Sequence, residues 1–87
     1  MSSERQEVTL IETLGDHMAY KLRVNQDKPH WLDEEKWRMF HRLSEEVQEL
    51  RGALLGTSVE AVWHEAADVA NFAAFVADIF QRDEELR

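Results

Sequence analysis

The chain has 87 residues, a formal net charge of −8 and no cysteine. Its length predicts one domain spanning residues 1–87, too small for a deep private core, so a partner chain is expected. The charge argues against binding nucleic acid or an anionic membrane. The missing cysteines exclude a disulfide framework and a zinc-thiolate site, as expected of a cytoplasmic protein.

Three helices follow from the periodicity. The first is expected from about Arg5 to Val24, with Val8, Ile11, Leu14, Met18 and Leu22 as its apolar stripe. Ser3 and Gln6 can form its capping box, and Gly15 weakens its middle. The next stretch, Asn25 to Leu32, reads as a loop, because Pro29 disfavours helix at Lys28. Asp33 is placed as an N-cap ahead of Glu34 and Glu35.

The second helix is expected from about Glu34 to Leu55, with the stripe Phe40, Leu43, Val47, Leu50 and Leu54 and with Gly56 to end it. Thr57-Ser58-Val59-Glu60 is a capping-box pattern for the third helix. That helix is expected to run to about Gln81, with Asp83 to Arg87 frayed. No segment is apolar over the ~20 residues of a membrane span, and Met1 to Arg5 lacks a signal-peptide apolar region.

Chemistry concentrates in two pairs of acids, Glu46-x-x-Glu49 and Glu65-x-x-Asp68. At ~100° per residue, Val62, Val69, Phe72, Val76 and Ile79 all fall within about 60° of Glu65, and Asp68 falls between Phe72 and Phe75. An acid on an apolar face must be compensated or change its protonation state. Glu46 and Glu49 lie roughly 80° and 140° from the centre of their stripe. On adjacent antiparallel helices the two pairs would converge four carboxylates on one cleft. Oxygen-only ligands favour a hard cation, Mg²⁺ or Mn²⁺. Ordinary surface acids, or a protonated and hydrogen-bonded core acid, are the alternatives.

Other chemistries lack support. A di-iron bundle requires Glu-x-x-His, whereas the third residues after Glu46 and Glu65 are Glu49 and Asp68. There is no Gly-x-Ser-x-Gly and no Gly-Lys-Ser/Thr phosphate loop. His17, His30, His41 and His64 share no spacing and read as surface or packing residues. Trp37 and Trp63 read as packing residues. Trp31 reads as a hydrophobic staple for the second helix, although its ring could also stack on a base.

Glu45-Glu46-Val47-Gln48-Glu49-Leu50 followed by Glu65-Ala66-Ala67-Asp68-Val69-Ala70-Asn71-Phe72 resembles the MazG-like, all-α nucleoside triphosphate pyrophosphohydrolases, whose motif is an E-x-x-E helix followed by an E-x-x-D helix. Upstream, Lys21-Leu22-Arg23, Asn25, Lys28 and Trp31 are similar to the segment before the E-x-x-E helix in small phage and prokaryotic members. The resemblance covers about residues 15–80.

It implies a three-helix all-α protomer in a larger bundle, a homodimer or homotetramer. It implies Mg²⁺-dependent hydrolysis of a nucleoside triphosphate to monophosphate and pyrophosphate. It assigns Glu46, Glu49, Glu65 and Asp68 to the metal. Glu49 and Glu46 are the candidate catalytic acids; the general base is left open among the carboxylates, with Glu49 a candidate from its place at the stripe edge. By position, Asn25, Lys28, Trp31 and Asn71 become substrate contacts. Two departures are Pro29-His30, where similar members often carry glycines, and Phe72, where some carry tyrosine. The alternative function is a non-catalytic acidic helical interaction module.

Overall fold

A computed structural model describes residues 3–25 and 31–86. It is all-α. Helix α1 spans Ser3–Val24, α2 spans Lys36–Leu54 and α3 spans Val59–Glu85, with a 3₁₀ turn at Trp31–Asp33 before α2. No strand occurs among the described residues. None of their helices is long and apolar enough to cross a membrane. Most of the loop expected at Asn25 to Leu32, with Lys28, Pro29 and His30, lies outside the described residues.

The helix ends show which local forces win. Helix α1 already includes Ser3, so the residue expected as its cap is part of the helix. The chain enters α2 two residues later than expected. Trp31 lays its indole flat on Phe75, with ring centroids 4.5 Å apart, and donates Nε1–H to Asp78 Oδ2 at 2.9 Å. It therefore pins the turn to α3 instead of stapling α2. Asp33 is spent in that turn, and capping passes to Glu35. The Glu35 carboxylate accepts from the backbone N–H groups of Trp37 at 3.1 Å and Arg38 at 2.6 Å, satisfying two orphan donors.

At the far end of α2, Leu55 closes the helix in right-handed geometry, its N–H on the Gly52 and Ala53 carbonyls. Gly56 follows without a left-handed φ. Ser58, rather than Thr57, caps α3, its hydroxyl accepting from Ala61 N–H at 3.1 Å. Helix α3 continues four residues past Gln81. There the Gln81 amide donates to Glu85 at 2.9 Å, a pair one turn apart that holds the end expected to fray.

Helix α3 packs against both α1 and α2. Its centre meets α1 where buried Asn71, only 4% exposed, donates its amide to the Met18 carbonyl at 3.1 Å. The fully buried apolar residues among those described are Met39, Ala67 and Ile79.

Two expected stripes are rotated. On α1 the covered residues are Thr13, Leu14, His17, Met18 and Lys21, while Leu22 faces out; Val8 and Ile11 lie in residues 3–12, which are exposed on every side. On α2 the covered residues include Met39, Leu43, Glu46, Leu50 and Ala53, while Phe40, Val47 and Leu54 are exposed. Trp37, expected to pack, is 68% exposed.

Candidate metal centre

Because α2 is rotated, Glu46 stands among its covered residues instead of at their edge. It meets Glu65 and Asp68 of α3. One carboxylate oxygen from each of the three lies within 4.8 Å of the others. The i, i+3 spacing puts Glu65 and Asp68 on neighbouring turns of α3, and α2 supplies Glu46 from the opposite wall. Glu49, expected as a fourth ligand, is exposed and outside that trio, yet its charge still acts on both glutamates.

Repulsion and burial leave a signature on two of the acids. Glu46 is held above the ordinary carboxylate value, first by burial and then by the charges of Asp68, Glu49 and Glu65; Arg42 opposes this. Glu65 is also raised, first by burial and then by Asp68 and Glu49, against the pull of Lys21 and His64. Both are poorly accommodated as anions in the bare protein.

Two cations of the chain relieve part of this strain. Lys21 Nζ lies 3.3 Å from Asp68 Oδ2, with both side chains mostly covered. The Arg42 guanidinium sits over the Phe72 ring at 4.9 Å. Sequence spacing alone missed both as members of the site. The signal for Lys21 was its place three and four residues after Met18 and His17, on the α1 face that turns out to be covered.

Beside the acids lies an aromatic group that also escaped the spacing argument. His17 stacks on Trp63 at 5.4 Å, Tyr20 stacks on His64 at 5.6 Å, and the two histidines are 5.8 Å apart. His64 Nε2 is also 3.6 Å from Glu60. The histidines have no common spacing because α1 and α3 each contribute one.

The residues assigned by position to a substrate do separate things. Asn71 is buried and ties α3 to α1. The Trp31 ring is engaged by Phe75 and Asp78. Asn25 donates its backbone N–H to the Lys21 carbonyl at 3.2 Å, closing α1. Lys28 lies outside the described residues.

The donor set fits a hard divalent cation. It is all carboxylate oxygen, it converges from two helices, and burial, followed by the charge of neighbouring acids, raises two of its members. Comparison of the chain with family models, curated proteins and solved structures finds no match.

Proposed function

We propose that the chain is a cytoplasmic, homo-oligomeric nucleoside triphosphate pyrophosphohydrolase that depends on Mg²⁺, or on Mn²⁺ in its place, and releases nucleoside monophosphate and pyrophosphate. The observation that carries this is the trio of Glu46, Glu65 and Asp68, with ligand atoms within 4.8 Å of one another. The motif resemblance supplies the reaction class.

In this reading Glu46, Glu65 and Asp68 hold the cation. When bound, it offsets their charge and polarises phosphoryl oxygens. Glu49 is exposed beside the trio, where a carboxylate free of the metal would accept the proton of the attacking water. Lys21 holds Asp68 in place, and Asn71 fixes α1 so that Lys21 can do so.

The Lys21–Asp68 pair also favours a second reading. An acid cluster that carries its own counter-charge can serve a non-catalytic helical module. Incubation with a panel of canonical and modified nucleoside triphosphates, with and without Mg²⁺, followed by chromatography of the products, separates the two. Monophosphate plus pyrophosphate is expected only with the metal. Orthophosphate plus a diphosphate overturns the assignment. No turnover, together with a melting curve indifferent to Mg²⁺, selects the module.

A further inference from the structure

The protomer has more surface than its mass explains. It exposes 6724 Å², about 1,400 Å² more than the ~5,300 Å² typical of a folded monomer of its mass. Its radius of gyration is 14.6 Å, against about 12 Å for a compact domain of this length. Of its apolar side chains, only Met39, Ala67 and Ile79 are fully buried among the described residues. A standard interface covers about 800 Å² per partner, so the surplus is enough for one.

Helix α1 contributes to that surface with exposed Val8, Leu10, Ile11, Tyr20, Leu22 and Val24, but the outer face of α2 is the exposed apolar face that is free of acids. Phe40, Val47 and Leu54 recur every seven residues and are all exposed. That spacing keeps side chains on one seam between paired helices. The chain carries 18 acids, yet none lies on this seam. Glu45, Glu46 and Glu49 are each about 100° or more from Val47 around the helix, at ~100° per residue. A second copy with the same charge of −8 can therefore approach this face without meeting a carboxylate. At the start of α2 the seam runs into a groove of about 320 Å³ lined by Lys36, Trp37, Phe40, Val76 and Phe80.

We propose that α2 pairs with α2 of a second copy, antiparallel, across a two-fold axis at Val47. The register follows from the numbers: Val47 meets the partner's Val47, and Phe40 meets the partner's Leu54. The antiparallel sense opposes the helix dipoles and sets the two Arg51 side chains eight residues apart along the pair, about 12 Å. A parallel pair would put them side by side. This pairing rests on the oligomer proposed above and is independent of the hydrolase chemistry.

Light scattering and a single engineered cysteine test it, without nucleotide or metal. Wild type at micromolar concentration should weigh at least twice the 10.2 kDa chain. Val47→Glu should lose the partner across this axis and keep its helical circular dichroism, because Val47 is already 43% exposed in the protomer. Val47→Cys introduces the chain's only thiol and should oxidise to a disulfide-linked dimer about tenfold faster than Ala73→Cys on exposed α3. A wild-type mass of one chain overturns the pairing, as does an assembly that Val47→Glu leaves intact. Equal rates for the two cysteine variants overturn it as well, and they decide the matter if Val47→Glu does not fold. Activity is measured separately, so failure of the pairing and failure of the hydrolase reading are distinguishable.

Discussion

The two faces of α2 invert the usual rule. The covered face carries Met39, Leu43 and Leu50, but also Glu46; the exposed face carries Phe40, Val47 and Leu54. A lone monomer gains nothing from hiding a carboxylate and showing a phenylalanine. The inversion is intelligible if each face answers to something absent from the single chain: a cation for the inner face and a second copy for the outer one. Sequence patterning averages over both demands. It therefore placed the centre of the stripe between them, midway between Leu43 and Val47, and left Glu46 at the edge.

The largest expected effect tests whether the inner face is a true core. Met39→Ala should cost about 2–5 kcal/mol of unfolding free energy in denaturant titrations, because Met39 is 1% exposed. A cost below about 1 kcal/mol would mean that the inner face packs no better than the outer one.

Glu65→Gln is the sharpest test of the metal. In the metal-free protein it removes repulsion with Asp68 and a charge disfavoured by burial, so the melting temperature should stay level or rise. Stabilisation by Mg²⁺ should shrink. In wild type it should amount to about 2.7 kcal/mol at a hundredfold excess over the dissociation constant. Turnover should vanish. A wild-type melt indifferent to Mg²⁺, paired with a destabilised variant, argues for a hydrogen-bonded core acid.

Lys21→Met acts in the opposite sense. It strips Asp68 of its partner, and the metal-free protein should lose about 1–3 kcal/mol. Added Mg²⁺ should narrow the gap to wild type, as differential scanning fluorimetry can follow. An equal gap with and without metal would mean that Lys21 and the cation act on different acids.

Gly52→Ala probes the solvent side, between the two faces. A methyl group there meets no neighbouring atom within 4 Å. The gain should be about 1 kcal/mol, read as a higher melting temperature.

The smallest effect is in pH. Glu46 and Glu65 sit above their ordinary value of 4.5, so in that window the folded state binds protons more readily than the unfolded chain. Their contribution to the metal-free protein is complete below about 4.5 and is lost as pH rises through the folded values. Thermal melts should show this slope between neutral pH and 4.5, and the double variant Glu46→Gln/Glu65→Gln should flatten it.

The all-α architecture and the existence of three helices were legible because 3.6-residue periodicity and capping residues are local signals. The acids on the α3 face were legible too, since Glu65 and Asp68 interrupt an apolar pattern. Rotation about the helix axis was not legible. The outer stripe of α2 is as apolar as the inner one, and periodicity cannot say which of two apolar faces a single chain covers. Nor could spacing find Lys21 or the His17–His64 pair, because both arise from the contact of α1 with α3. Trp31 shows the same limit. A residue read as serving the helix that follows it is held by Phe75 and Asp78, more than forty positions away.

The three tryptophans occupy three different environments. The Trp63 ring is stacked on His17, the Trp31 ring on Phe75, and Trp37 stands in solvent at the lip of the groove. The protein thus carries its own optical label at the place where a partner would arrive. Light emitted by Trp37 shifts to shorter wavelength when water leaves its ring, whereas the other two indoles are already covered by neighbours. Replacing Trp31 and Trp63 with phenylalanine would leave one indole, excited apart from Tyr20 at the red edge of absorption, whose colour reports, without any attached dye, whether that lip is open or closed.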